Sequence, residues 1–300
     1  MNLYKINKEY SLTLFFFTLI FLGVEMIDLN YEVPFLTLIC FFLISSIGIT
    51  HGALDNSKGY KILKKYGVKQ KYLFYLAYIF ISSLVILFWL YFPLISLSVF
   101  LLIASYHFGK EDSYFVKIKK NKFINLFFLL KGSIVISAPL IFHNKETLEI
   151  FEILNVKYIE INIQFLISII TLSFLSNFFI TEDIVASVVD WLTILFLNLA
   201  FSPLIAFTIY FCFLHSVRHS LSLMFELNRN IKKGFILFVK KAIPLTIITA
   251  LIYLLSLFFL NNYQDLNVSI YRVIFIGLAS LTFPHILLEY LVEKIKNERN

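Results

Sequence analysis

The sequence has few charged residues and only two cysteines. Charged residues occupy 15% of its 300 positions, against about a quarter in soluble domains, and 59% of its residues are hydrophobic. This composition excludes an ordinary soluble domain and indicates an integral membrane protein. Cys40 and Cys212 both fall inside apolar runs, so we expect no disulfide and interpret both as small core residues. Because no linker divides the chain, we interpret residues 1–300 as a single membrane domain.

Ten apolar runs approach the roughly 20 residues that a helix needs to cross a ~30 Å hydrocarbon core. Pro93 and the Ser202-Pro203 pair divide the two longest apolar regions into separate helices. The first run lacks a small-residue cleavage site, so we interpret it as a retained span. The sequence therefore predicts an all-α, multi-pass bundle of about ten transmembrane helices in the cytoplasmic (inner) membrane. The predicted spans are 11–27, 33–50, 72–92, 94–109, 123–142, 161–180, 184–200, 201–225, 242–260 and 270–292.

Basic residues are concentrated on one side of this predicted topology. They lie in the N-terminus, in 51–71, 110–122 and 226–241, and in the C-terminal tail. The opposite side holds only Lys145, Lys157 and Arg272. Because lysine and arginine favour cytoplasmic loops, both termini are predicted to be cytoplasmic. The net charge of +7 then reflects topology, and nucleic-acid binding is not expected, since five separate segments form no continuous basic groove.

Histidines are also scarce, yet five of the six lie in the predicted cytoplasmic halves of apolar runs or directly after them. The helices that carry them are the second, fourth, eighth and tenth, which all run from the outside to the cytoplasm in the predicted topology. Counted from the outer helix ends, the five histidines lie 14–18 residues along, or about 21–27 Å at 1.5 Å per residue. They are therefore predicted to share one layer near the cytoplasmic surface. These residues are His51, His107, His215, His219 and His285.

A buried metal site explains this layer better than isolated hydrogen bonds, because ionisable groups inside a membrane are costly and usually functional. His215 and His219 are four residues apart, so both project from one helix face. We predict that these two histidines bind a metal together with His51 and His107. Two interpretations of His285 stay open, a hydrogen-bonding partner between helices and a member of the site. The sixth, His143, ends a span at the outer surface, where no role in the site is expected.

Acidic residues follow the same histidines at short range. Asp55 lies four residues after His51, and Asp112 lies five after His107. Because a metal-bound imidazole typically donates its second N–H to a carboxylate, these two aspartates are predicted to support the ligands. The alternative is ordinary interfacial charge next to nearby lysines. The adjacent Glu111 and the similarly spaced Glu289 are weaker candidates, and Arg218 is predicted to form an ion pair with Asp190 on the preceding helix.

An all-imidazole ligand set suits zinc, copper, iron or nickel. The sequence has no HExxH motif, whereas zinc hydrolases pair their metal with a general base. Six histidines are also too few for the paired-iron membrane desaturases and hydroxylases, which need about eight. A mononuclear iron(II) centre that acts on a lipid fits best.

Four motifs in this order resemble the Brp/Blh family of membrane β-carotene 15,15'-dioxygenases. They are HGALD at 51–55, YHFGKED at 106–112, HSVRH at 215–219 and FPH at 283–285, and the resemblance covers about residues 45–290. It implies that Fe(2+) is bound by His51, His107, His215 and His219. It also implies that β-carotene and O2 are the substrates and that central cleavage gives two molecules of all-trans-retinal, which would be available to a rhodopsin.

Two other functions remain open at this stage. A haem or quinone electron-transfer protein would use two of the histidines as haem ligands and would be coloured by haem. A metal-ion transporter would use the histidines as a transit site and would place acidic residues along the path at several depths. The acidic residues near the histidines instead cluster at the cytoplasmic helix ends.

Overall fold

A computed structural model of the protein describes residues 3–25, 35–114, 116–157 and 160–298, with five of these, His51 among them, described by their backbone alone. Helix makes up 84% of the structure. In the described ranges no strand forms beyond an isolated antiparallel bridge between Ile118 and Thr181. The predicted all-α class is therefore confirmed.

The described residues form fourteen α-helices, with one 3-10 segment and one π-helical segment between them. The α-helices are α1 Leu3–Glu25, α2 Leu36–Ser46, α3 Asp55–Lys65, α4 Tyr72–Tyr91, α5 Pro93–Glu111, α6 Ile124–Gly132, α7 Ile134–Phe142, α8 Asn144–Ile153, α9 Ile163–Ile180, α10 Ile184–Ala200, α11 Pro203–Ile209, α12 Val217–Leu227, α13 Ile231–Asn261 and α14 Leu266–Asn297. The 3-10 segment is Gly48–Gly52, and the π-helical segment is Tyr210–Ser216.

Eight helical stretches of the described chain are long and apolar enough to cross a membrane, so the protein is a polytopic helical membrane protein. The apolar α10 is shorter, and α1 overlaps the first predicted run, 11–27, but begins eight residues earlier, at Leu3. The divisions at Pro93 and at Ser202-Pro203 are confirmed, since both prolines occupy the first turn of a helix. The count of ten spans and the cytoplasmic location of the termini stay predictions.

Several predicted boundaries were wrong because a search for apolar runs misses polar helical turns. The predicted loop at 51–71 contains α3, whose Asp55 and Gly59 are buried. Helix α13 begins at Ile231 and not near residue 242, because the Asn230 side chain accepts hydrogen bonds from the backbone N–H groups of Lys232 and Lys233. Helix α2 begins at Leu36, while the predicted start at Val33 lies outside the described residues.

Helices α5 and α6 cross in close contact at two glycines. A Cβ atom on Gly109 would lie 1.8 Å from the Phe128 carbonyl oxygen, and one on Gly132 would lie 1.9 Å from the Ser105 carbonyl oxygen. Only glycine permits this separation of the two backbones. The crossing fixes the position of the C-terminal half of α5, which carries His107.

Helix α14 packs against α2, α3, α4 and α5, and the π-helical segment packs against α2 and the 3-10 segment. The hydrophobic core between them includes buried Phe41, Ile44, Phe108, Phe211 and Leu214. These helices bring the histidine-bearing turns together inside the protein.

Candidate metal centre

Four histidine rings from three parts of the chain lie together in the core. The ring centroid of His107 is 5.4 Å from that of His215 and 5.4 Å from that of His285, and the centroids of His219 and His285 are 6.3 Å apart. His107, His215 and His285 are at most 6% exposed, and the His219 side chain is 12% exposed. The predicted convergence of these four residues is therefore present in the structure.

Each ring is positioned by a distinct local feature. His107 lies in the last turns of α5, and His285 follows Pro284 inside α14. His215 lies near the end of the π-helical segment, while His219 lies in the first turn of α12. The wider π turn displaces backbone carbonyls, and Tyr10 of α1 donates a hydrogen bond of 2.5 Å to one of them, that of Phe213. Short π-helical segments are frequent at functional sites.

His51 belongs to the 3-10 segment Gly48–Gly52, and its side chain lies outside the described part of the structure. The segment itself lies against the histidine cluster. The Ser216 hydroxyl donates a hydrogen bond of 2.8 Å to the Gly48 carbonyl, and the hydroxyl oxygens of Thr50 and Ser220 are 3.4 Å apart. These contacts join the backbone beside His51 to the residues beside His215 and His219.

Three of the four rings face a buried carboxylate through Nδ1. His215 donates to Asp112 Oδ1 at 3.1 Å, and His285 lies 3.0 Å and 2.9 Å from the two oxygens of Asp55. His219 Nδ1 forms an ion-pair contact with Glu111. A carboxylate at Nδ1 favours the tautomer whose Nε2 carries the lone pair, which is the arrangement found around metal-bound imidazoles.

The carboxylate partners are not the ones that sequence proximity suggests. The sequence pairs Asp55 with His51 and Asp112 with His107. In the structure Asp55 contacts His285 and Asp112 contacts His215, while the His51 side chain lies outside the described residues. Glu111, a weaker candidate in the sequence, contacts His219. Helical spacing brings residues of one helix together, whereas these pairs join different helices, and the sequence carries no signal for that choice.

A second group of polar residues surrounds the carboxylates. Tyr210 donates to Asp112 Oδ2 at 2.8 Å, and Tyr78 donates to Asp55 Oδ2 at 3.1 Å. No sequence pattern singles out Tyr78, which lies on the apolar α4. The predicted ion pair between Arg218 and Asp190 is confirmed, with Nη1 and Oδ2 2.8 Å apart and both side chains buried.

Positive charge balances these carboxylates on the side of α6. The Lys131 ammonium donates to the Ser113 hydroxyl at 3.1 Å. It lines a small cavity with Asp112 and Asp190, with room for about one water molecule. Arg218 also lies 3.4 Å from the Asp112 carbonyl oxygen. The region behind His215 is therefore a buried ionic network.

Aromatic rings cover another side of the cluster. The Phe108 centroid is 4.9 Å from that of His215 in an edge-on contact, and the Phe211 ring stacks on His215 with centroids 5.8 Å apart. Phe207 in turn stacks on Phe211. These apolar residues exclude water from their side of the imidazoles.

Asp55, His285 and Glu289 form a second group of potential ligand atoms, which shares His285 with the histidine cluster. All three atoms lie within 4.8 Å of one another. In this group the Glu289 carboxylate already pairs with the Lys58 ammonium, and Nδ1 of His285 is bound to Asp55.

The remaining histidine, His143, joins α7 to α8, with its Nε2 2.9 Å from the Asn198 carbonyl oxygen. It takes no part in the cluster.

The donor types of the cluster suit a divalent transition metal such as iron(II), while the potential ligand atoms that lie within 4.8 Å of one another in the described residues are those of Asp55, His285 and Glu289. The Nε2 atoms of His107, His215, His219 and His285 are all shielded from solvent. In three of these rings the opposite nitrogen faces a carboxylate, which raises the basicity of a ligand imidazole. Neutral imidazoles are common ligands of iron, copper and zinc.

Comparison with known proteins gives two matches that agree with each other. The model of a family described as "Beta-carotene 15,15'-dioxygenase" matches residues 42–293. A curated relative from an uncultured marine bacterium, 66A03, carries the same name and is 29% identical over 253 residues, which cover 82% of this chain and 90% of the relative. No solved structure matches. The family match includes every histidine and carboxylate of the cluster.

Proposed function

Because the chain belongs to the beta-carotene 15,15'-dioxygenase family, we propose that it cleaves β-carotene at the central double bond with O2, at an iron(II) held by buried histidines. The reaction breaks the 15,15' bond and leaves one oxygen atom on each carbon, so it yields two molecules of all-trans-retinal without an added reductant. The family match over residues 42–293 supports the substrate. The buried histidine cluster with its carboxylates is the observation that supports the metal.

In this proposal His107, His215 and His219 hold the metal through Nε2, together with His51 on the adjoining 3-10 segment. Iron(II) with open coordination positions would supply the electron-transfer chemistry that allows O2 to react with a closed-shell polyene. Asp112 and Glu111 keep their histidines in the tautomer that a metal requires, because each accepts the Nδ1 proton of its partner.

The remaining residues of the site control orientation and solvent. Phe108 and Phe211, both buried, exclude water beside His215, which favours an apolar substrate. Cleavage at one double bond of a long polyene requires that the chain be held with its midpoint at the reacting atoms, since specificity here is a matter of orientation. β-Carotene would reach the protein from the lipid bilayer, against which the exposed apolar side chains of the helices would lie, and retinal released there would be available to a rhodopsin.

Production of the chain in bacteria that accumulate β-carotene tests this function directly. Pigment and retinal are quantified by chromatography for the wild type, for the alanine variants of His51, His107, His215 and His219, and for His143→Ala as a control. We expect retinal from the wild type and from His143→Ala, and none from the other four variants. Unchanged β-carotene in cells that contain folded, metal-loaded wild-type protein would reject this substrate.

The same cells separate the alternative functions. A haem protein would show a haem absorption spectrum after purification and would depend on two of the four histidines. A metal-ion transporter would change the metal content of the cells without forming retinal. Either result, in the absence of retinal, would replace the proposed oxygenase.

A further inference from the structure

His285 has the same surroundings as His215 and His219. In all three residues Nδ1 faces a buried carboxylate, and in all three the ring lies in the one cluster. We propose that His285 is a further ligand of the metal and that Asp55 positions it. This inference rests on the metal centre of the proposed function. It adds a ligand to the four histidines that the sequence motifs predict.

The distances between the rings agree with a shared metal. An imidazole nitrogen lies about 2.1 Å from a bound transition metal, so the ring centroid lies about 3.2 Å from it. Two imidazoles on one metal then have centroids roughly 4.5–6.4 Å apart as the angle between them widens from 90° to 180°. The His285 centroid is 5.4 Å from that of His107 and 6.3 Å from that of His219. Both separations fall within that range.

Asp55 is placed to fix the ring of His285. Its two carboxylate oxygens lie 3.0 Å and 2.9 Å from Nδ1, and both residues are at most 2% exposed. Tyr78 donates to the same carboxylate, and its hydroxyl also lies 3.2 Å from the Leu281 carbonyl of α14. Helix α3 and helix α4 therefore both orient a ring carried by α14. With Nδ1 directed at Asp55, Nε2 lies on the opposite edge of the imidazole.

Two other roles for His285 make different predictions. A protonated His285 that only forms an ion pair with Asp55 would contribute to folding but not to metal affinity. A cation bound between Asp55, His285 and Glu289 would depend on Glu289, whereas the proposed ligand role does not, because Glu289 pairs with Lys58. Metal affinity and ligand-field spectra distinguish all three roles without reference to enzyme activity.

The test measures binding of Co(II) and Fe(II) to the purified full-length protein in detergent, by competition with a chromophoric chelator, together with the visible spectrum of the Co(II) form. For His285→Ala we expect at least about a tenfold loss of affinity and an altered Co(II) spectrum, and for Asp55→Asn about a tenfold loss. His143→Ala and Glu289→Gln serve as controls, and both should retain wild-type affinity and spectrum.

Unchanged affinity and an unchanged Co(II) spectrum in folded His285→Ala would overturn the proposal. A loss of affinity in Glu289→Gln equal to that in His285→Ala would also overturn it, in favour of the acidic cation site. If the alanine variant does not elute as a folded species, His285→Gln provides the same comparison with a side chain that still hydrogen-bonds. Failure of the wild type to bind either metal would instead reject the metal centre itself, which separates the two proposals.

Discussion

The Nδ1 atom of His215 lies 3.1 Å from Oδ1 of Asp112, although 103 positions separate them in the chain. This contact joins the π-helical segment to the end of α5, and so it links His215 and the nearby His219 to the helix that carries His107. Asp112 also accepts a hydrogen bond from Tyr210. One buried carboxylate therefore orients a predicted metal ligand and connects two parts of the site.

Asp112→Asn should weaken metal binding about 10–100-fold, the usual effect of removing a carboxylate behind a ligand histidine. The asparagine keeps the size of the side chain but loses the charge that favours proton donation from His215. Chelator competition measures the affinity. Glu182→Gln is the matched control, because that carboxylate is 63% exposed and its contact with Lys117, at 4.0 Å, is long for an ion pair. Equal affinities in the two variants would argue against a supporting role for Asp112.

Tyr210→Phe removes one hydrogen bond, of 2.8 Å, from Asp112 without removing its charge. The buried carboxylate oxygen loses a partner, which costs about 1–3 kcal/mol. We expect a smaller loss of metal affinity than in Asp112→Asn, accompanied by a lower unfolding temperature. Measurement of both properties in the same preparations checks this order, and an effect on metal affinity larger than that of Asp112→Asn would contradict it.

Arg218→Met should lower the free energy of unfolding by about 3–5 kcal/mol, because it leaves the buried Asp190 carboxylate without its ion-pair partner. The pair is 2.8 Å apart with 0% and 3% side-chain exposure. Replacing Asp190 by Leu in the same chain should recover part of the loss. Denaturant titration in detergent measures the free energy of unfolding, and Arg229→Met, at an exposed position, is the control. A double variant less stable than Arg218→Met would show that the pair is not the cause.

Gly109→Ala should separate α5 from α6, since the added Cβ would lie 1.8 Å from the Phe128 carbonyl oxygen. We expect a loss of about 3 kcal/mol in the free energy of unfolding, at the upper end of the usual overpacking cost. Gly23→Ala is the matched control because nothing lies within 4 Å of its added Cβ, and it should gain about 0.5–1 kcal/mol. Similar unfolding midpoints for both variants would contradict the close crossing.

The helical architecture and the convergence of four histidines could be predicted from the sequence, for identifiable physical reasons. Crossing a bilayer demands long apolar helices, so composition alone predicted the fold class. Pro93 and Pro203 predicted helix starts because proline is compatible with the first turn of a helix. Counting the rise per residue predicted that His107, His215, His219 and His285 share one layer, and their rings do lie together.

The contacts within that layer could not be predicted in the same way. Which carboxylate meets which histidine depends on the rotation and crossing of helices, so Asp55 meets His285 and Glu111 meets His219. The π-helical turn before His215 also lacks a recognisable sequence pattern. Tyr78 lies on an apolar helix, and only tertiary structure brings it to Asp55. The metal-ligand roles of His51, His107, His215 and His219 stay predictions, and the side chain of His51 lies outside the described structure.

The most direct test of the central claim is metal-dependent cleavage of β-carotene by the purified protein. The protein is stripped of metal with a chelator, supplied with β-carotene in detergent under air, and assayed for retinal before and after addition of Fe(II) or Zn(II). We predict no retinal from the stripped protein, two molecules of retinal for each β-carotene consumed after Fe(II), and none after Zn(II), which has no redox chemistry. Full retinal formation by the metal-free or zinc-loaded protein would contradict an iron(II) dioxygenase.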